Sequence, residues 1–401
     1  TAKPEFDHCV KAKVKALEAG TTYYYRFIYK SARTEYTSHI GKAKTAPAAD
    51  ADVPVRFAFL SCQDFIGRYY NSYLLLQKEE LDFVVFLGDY IYETSGDPSF
   101  QTPDEKRKVV FDDTAGALAL GSGADMYYAA KSLDNYRQLY RIYRGDASLQ
   151  KIHEQFPAIV IWDDHEYSND CYGANANYTN DRSDEKDETR RKAANKARFE
   201  YMPVDYADEN FVYDDKKPYP TDLTIYRDFV FGKNVHLVMT DLRSYRPDHL
   251  IPESAYPGSV ILDQAFLMGA GLDPAMVGKP YLDIDDAMYA QYKALLVGAA
   301  TAQEAAYDTS KISGNIAVEY INSVITAAMS PLPLIDEAAQ MTMSRGLAYM
   351  HLGKTSLNSM IGARYLIVKP TFELYGAYKL ATTMKASENV MGTDQETWFL
   401  D

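Results

Sequence analysis

Four short apolar runs in this chain each end in a knot of polar side chains able to bind cations. Arg56–Leu60 runs into Ser61-Cys62-Gln63, and Phe83–Leu87 into Gly88-Asp89-Tyr90-Ile91-Tyr92. Ile159–Trp162 runs into Asp163-Asp164-His165-Glu166, and Val235–Met239 into Thr240-Asp241-Leu242-Arg243. The Asp89 carboxylate is able to bridge two cations, and the Tyr92 phenolate is a hard ligand suited to Fe³⁺. The alternative for Gly88-Asp89 is a strand-ending turn with Asp as an N-cap. Cys62 is either an inert thiol or, beside a metal, a thiolate ligand. Asp163 to Glu166 packs four ionisable groups behind an apolar run, and burying them without a counter-ion is costly. A metal ion is the usual remedy; a solvated acidic turn is the alternative. Arg243 offers a planar fork for phosphate oxygens, or else a surface salt bridge. Together these residues fit a two-metal site for phosphoryl transfer. His165 would protonate the leaving oxygen or steady the transition state.

The elements that must position these groups follow from the runs themselves. Near-continuous apolar runs are typical of strands buried on both faces, and open α/β sheets place ligands beyond the carboxyl ends of such strands. A helical stretch at 71–80 suits a right-handed crossover between the first two strands. Further helical patterns cover 132–153 and 186–201, the second with Arg190 and Arg191 near its middle. Residues 94–126 read as a long loop. Residues 1–47 read differently: Val10–Lys15 alternates with period two, Thr22–Tyr29 forms a second strand and Ser38–Lys44 a third. Such a set resembles the last part of an immunoglobulin-like sandwich, followed by a linker at Thr45–Asp50. Residues 247–388 carry amphipathic stretches around 285–306, 315–329 and 335–350, and read as a helical insertion or cap.

The 401 residues suffice for a large core and more than one domain. A formal charge of −14 argues against tight sequence-independent nucleic-acid binding. It also means that a negatively charged substrate needs cations in the site. No apolar run approaches the roughly 20 residues of a membrane span. No signal peptide is visible, and the chain opens in mid-pattern. The three cysteines are too few for a disulfide framework, with a Cys9–Cys171 bridge left open. The 34 tyrosines read as strand surfaces and helix packing.

The order Cys62, Gly88-Asp89-x-x-Tyr92, Asp164-His165-Glu166 resembles the calcineurin-like metallophosphoesterase pattern. The spellings Ser61-Cys62-Gln63, Leu87–Glu93, Trp162–Glu166 and Asp241–Arg246 resemble the PhoD-like alkaline phosphatase and phospholipase D family. Phe199–Val204, Ile225-Tyr226-Arg227 and Met391–Leu400 are similar to its other segments, and Tyr23–Phe27 with Thr45-Ala46-Pro47 to the end of its leading domain. The resemblance implies a truncated metallophosphoesterase-like α/β (α+β) sandwich core over 53–401, after the C-terminal part of an immunoglobulin-like domain over 1–47. It implies a phosphoric monoester or diester hydrolase of the alkaline phosphatase D type. It further implies Fe³⁺ with Ca²⁺, a small phosphate ester or phospholipid as substrate, and an extracytoplasmic (periplasmic or secreted) location. Carried over by residue, Cys62 and Tyr92 bind iron, Asp89 bridges, Asp164 takes the place of the usual Asn ligand and His165 is catalytic. Asp241 and Arg243 match the motif of the fourth strand, as metal and phosphate contacts.

Two departures stand out. The 247–388 region is far longer than the family's usual link, and the later Gly-Asp-x-His metal motif is absent. The chain therefore reads as a fragment that lacks the front of its leading domain and the back of its catalytic core. The expectation is that this piece alone hydrolyses phosphate esters poorly or not at all. The competing expectation is a degenerate, non-catalytic metal- or phosphate-binding relative.

Overall fold

A computed structural model describes residues 2–121, 123–176, 186–204, 213–305, 307–355, 357 and 367–401. The chain divides into two compact units, the first built from the described residues up to Arg246 and from Met391–Asp401, the second from Pro247–Val390.

The first unit is organised by a three-stranded parallel sheet of β5 (Phe57–Leu60), β6 (Phe83–Phe86) and β9 (Ala158–Val160), in the order β5-β6-β9. β6 lies in the middle and all four of its residues are buried. Its two faces feed different cores. Val84 and Phe86 pack with Val160 and the tyrosines of the helical layer. Phe83 and Val85 pack with Ile159, Ile161, Phe231 and Met239. Each such side chain contributes about 1.5–3 kcal/mol on burial.

β5 departs from the expected two-sided burial. Phe57 and Phe59 are 40% and 68% exposed, because β5 is an edge strand of this sheet and only Ala58 and Leu60 turn inward. The fourth apolar run is β11 (Val235–Met239). It pairs antiparallel with β10 (Arg227–Phe231) as a separate hairpin, closed over Gly232. The hairpin covers the sheet: Phe231 stacks on Phe83 at 4.2 Å, and Arg227 donates to the Val160 carbonyl.

The crossover after β5 contains α1 (Tyr73–Leu76), a single turn. The 132–153 pattern forms two helices, α2 (Leu133–Arg144) and α3 (Ala147–Gln155). Gly145 ends the first and Asp146 caps the second, accepting from the amides of Ser148 and Leu149. α2 buries Tyr136, Leu139, Tyr140 and Tyr143, one helical face, and packs beside α4 (Glu188–Tyr201). Among the described residues of the 94–126 stretch, β7 (Leu118–Leu120) is the one strand; it pairs with β8 (Tyr127–Ala129).

His153 of α3 is half-buried beneath β6, stacked on Phe86, with its Nε2 2.7 Å from the Tyr90 hydroxyl. Burial, with Arg144 beside it, pushes its pKa down to about 3. The unfolded chain takes up this proton near pH 6.5, so stability falls as pH drops from about 6.5 towards about 3. His153→Gln is expected to flatten that part of the profile of urea midpoint against pH. An unchanged acid limb would contradict the assignment.

The N-terminal strands form two antiparallel ribbons: β1 (Thr22–Tyr25) with β4 (Gly41–Lys44), and β2 (Ile28–Lys30) with β3 (Glu35–Thr37). The expected second strand is thus broken in two. Val10–Lys15 is not a strand, since it finds no strand partner among the described residues and Lys11 instead donates to the carbonyls of Phe199 and Met202.

The second unit is not wholly helical. It holds an antiparallel sheet of β12 (Val260–Leu262), β15 (Arg345–Ala348), β13 (Lys279–Asp283) and β14 (Asn315–Ala317), in that order. α5 (Gln264–Gly269) and α6 (Pro274–Val277) accompany β15. α7 (Ala290–Gln303) and α8 (Val318–Ala327) pack on each other, with Leu296, Ile321 and Ile325 in their core. The short length of β14 and β15 concealed them inside stretches read as helix. Residues 306, 356 and 358–366 of that region lie outside the described residues. Among the described residues no helix is long and apolar enough to cross a membrane.

Candidate metal centre

The loops that leave β5, β6 and β9 at their carboxyl ends bring the candidate ligands together. The loop after β6 turns sharply at Gly88 and Asp89, with φ of 109° and 54°. A Cβ on Gly88 would sit 2.3 Å from the Asp163 amide nitrogen, so only glycine lets the two loops meet. Cys62 also holds a left-handed φ, of 56°. Non-glycine residues in this region store strain, which is common at functional sites.

Asp89, Asp164 and His165 are buried and present one ligand atom each within 4.8 Å of one another. Asp89 Oδ2 accepts from the Tyr92 hydroxyl at 3.3 Å, while Asp89 Oδ1 is buried without a hydrogen-bond partner. Burial pushes the Asp89 carboxyl up to about 8; His165 opposes this shift, and the charges of Asp164, Glu166 and Asp163 add to it. Cys62 is exposed and lies outside the clustered ligand atoms; its thiol interacts with the Asp89 carboxylate and the Tyr92 hydroxyl, and partial desolvation pushes its pKa up. Asp89 therefore has Cys62 and Tyr92 as neighbours, and Asp164 and His165 as further neighbours. A buried carboxylate with an orphaned oxygen beside a second carboxylate, an imidazole, a phenol and a thiol fits a bound cation.

His165 is fixed by Glu93, a residue with no role assigned from the sequence. Its Nδ1 lies 2.7 Å from Glu93 Oε2, and its ring stacks on Tyr92 with centroids 4.0 Å apart. Glu93 is fully buried, and its other oxygen accepts from the Asn169 amide at 2.6 Å. Burial alone would lower the pKa of His165; the Glu93 carboxylate overrides it and, with Asp164 and Asp89, pushes it up to about 10. With Nδ1 engaged by Glu93, Nε2 is the ring nitrogen left for other chemistry. Burial would raise Asp164, but His165 and Arg243 hold its carboxyl below the ordinary range.

Arg243 reaches the same place from the loop after β11. Its Nε donates to Asp163 Oδ1 at 2.6 Å, and its Nη2 lies 3.5 Å from Asp164 Oδ1. Asp241 falls outside the clustered ligand atoms. Its Oδ1 accepts from the Trp162 indole and from the amides of Arg243 and Ser244, each at 3.0 Å. Its own amide donates to the Gln395 side chain at 2.6 Å, and Gln395 donates back to its carbonyl. Asp241 thus shapes the turn that carries Arg243. Asp241→Ala is expected to release the Trp162 indole, read as a red shift in tryptophan emission; unchanged emission would contradict that role. The Cys9–Cys171 bridge left open by the sequence is not formed: both are free thiols, Cys171 fully buried with the Arg191 guanidinium 3.5 Å from its sulfur.

Ionisable side chains gathered at the carboxyl ends of parallel strands lie where open α/β sheets place their ligands. The family model of the PhoD-like phosphatases matches residues 57–271, and that of the PhoD-like phosphatase N-terminal domain matches residues 1–47. The chain belongs to the PhoD-like phosphatase family. It is 35% identical over 260 residues to alkaline phosphatase D of Bacillus subtilis (strain 168), an alignment covering 64% of this chain and 39% of that protein. The chain thus spans about two fifths of that curated relative. A solved structure of PhoD is 34% identical, with a TM-score of 0.49 over 62% of this chain and 42% of that one.

Proposed function

We propose that the protein carrying this chain is a metal-dependent phosphoric ester hydrolase whose cations gather around Asp89. The observation that supports this most directly is the buried cluster of Asp89, Asp164 and His165, with Asp89 Oδ1 left without a partner. Cys62, Tyr92 and Asp89 would hold one cation, and Asp89 with Asp164 a second. The phenol and thiol suit Fe³⁺, and the carboxylates suit Ca²⁺. Cations held there supply Lewis acidity to a phosphoryl group and to an attacking water.

The chain's own residues supply the rest. Glu93 holds Nδ1 of His165 and so aims Nε2, which delivers a proton to the departing ester oxygen. Arg243, braced by Asp163, places positive charge where the phosphoryl oxygens gather. Asp241 and Gln395 keep the Arg243 turn in place. Substrates in this reading are phosphate mono- or diesters, with phospholipids among the diesters. The location is extracytoplasmic, and residues 1–47 are part of an immunoglobulin-like leading domain.

Assaying the whole protein that carries this chain on nitrophenyl phosphate and bis-nitrophenyl phosphate, before and after chelation, tests the reaction class. The expected result is hydrolysis of at least one ester that chelation abolishes. Turnover indifferent to chelation would contradict the proposal. A tyrosinate–Fe³⁺ pair absorbs in the visible range, and Tyr92→Phe is expected to remove that band; an unchanged spectrum would remove Tyr92 from the ligands.

A further inference from the structure

Glu166 closes the Asp163–Glu166 motif, yet its side chain faces protein on every side. It is 3% exposed. Its Oε1 accepts from the Tyr90 amide at 2.9 Å, and its Oε2 from the amides of Asp89 at 3.1 Å and Asp163 at 2.9 Å. A carboxylate has about four acceptor sites, and here three hold backbone N–H groups. Two of those amides belong to the loop after β6 and one to the loop after β9. One side chain therefore joins the two segments that carry Asp89 and Asp164.

The charge opposite Glu166 comes from α4. Arg198 is 1% exposed, and none of its three guanidinium nitrogens has a hydrogen-bond partner. Its Nη1 lies 3.9 Å from Glu166 Oε1, and its guanidinium 5.1 Å from the centre of the Trp162 ring. A buried cation without hydrogen bonds is expensive unless a nearby charge or an aromatic face compensates it. Glu166, Trp162 and the neighbouring Tyr140 hydroxyl are those compensations.

We propose that Glu166 is a positioning residue that ties the Asp89 and Asp164 loops together, with Arg198 as its buried counter-ion. Its consequence for cation binding rests on the metal-centre reading above; the tie itself does not. Replacing Glu166 by Gln turns one acceptor oxygen into an NH₂ donor. That donor faces backbone N–H groups, so at least one of the two loops loses its anchor. Arg198→Met removes the charge, and Arg198→Lys retains it.

The test is hydrogen–deuterium exchange by mass spectrometry on metal-free protein, following peptides that contain the Asp89, Tyr90 and Asp163 amides. Glu166→Gln and Arg198→Met are expected to speed exchange there about 10-fold or more, as loss of a charge-assisted hydrogen bond implies. The β6 amides of Val84 to Phe86 are expected to stay protected, and Arg198→Lys to exchange close to wild type. Unchanged exchange at the three amides in both Glu166→Gln and Arg198→Met would overturn the proposal. Equal exchange in the Lys and Met variants would overturn the counter-ion part. Should Glu166→Gln fail to fold, the two Arg198 variants decide. Because no metal is present, failure of wild-type protein to bind cations would defeat the metal-centre reading and leave this result standing.

Discussion

Asp89→Asn is expected to weaken cation binding by more than about 100-fold and to reduce phosphate-ester hydrolysis to background. Loss of an outer-shell partner alone costs roughly 10–100-fold in metal affinity, and Asp89 is the residue that Cys62, Tyr92, Asp164 and His165 all surround. An amide keeps the size and one acceptor oxygen but removes the charge that opposes a cation. The metal-free variant should be no less stable than the wild type, because the native carboxyl is buried with one oxygen orphaned and its pKa is pushed up to about 8. Between about pH 4 and pH 8 the folded wild-type protein holds a proton that the unfolded chain has lost, so this group makes stability fall as pH rises. Urea melts of metal-free wild type and variant at pH 5 and pH 8 measure the difference. The wild type should lose more on going to pH 8. Equal losses would contradict the account of Asp89, and so would undiminished cation affinity in the variant.

Glu93→Gln is expected to lower kcat by about 100-fold or more, within the range for general acid–base groups, while cation affinity changes far less. Glu93 touches His165 and the Asn169 amide. It therefore acts through His165 as a positioning residue. Without its charge the imidazolium loses its nearest counter-ion, so the pH limb that reports His165 should move to lower pH. Glu93→Asp, which restores charge with a shorter reach, should recover part of the rate. A kcat unchanged in Glu93→Gln, or a rate loss with no movement of the pH limb, would contradict this role.

What the sequence made legible follows from how local each signal was. Asp89, Asp164 and His165 sit three to five residues beyond the ends of β6 and β9, so the strand pattern and the ligands read together. The parallel pairing of β5 with β6 followed from the same runs and the crossover between them, whereas the place of β9 beside β6 is seen only in the structure. Glu93 carried no such signal, because its partner His165 lies 72 residues away and only the packing of two loops brings them together. Gln395 is further still, 154 residues from the Asp241 it grips. Arg198 reads as one more charge on a polar helix until Trp162 and Glu166 enclose it. Alternation misled at Val10–Lys15, since a period of two describes side chains and does not supply a neighbouring strand. In the second unit, strands of three and four residues left too short a pattern to compete with the helical stretches around them.

In the proposed function, Asp89 and its neighbours hold cations. The most direct measurement is metal content after loading with Fe³⁺ and Ca²⁺ and exhaustive dialysis, by inductively coupled plasma mass spectrometry, on wild type beside Asp89→Asn. Retention of at least one metal ion per chain by the wild type, lost in the variant, is the predicted result. A wild type that retains no metal, or a variant that retains as much, would contradict it.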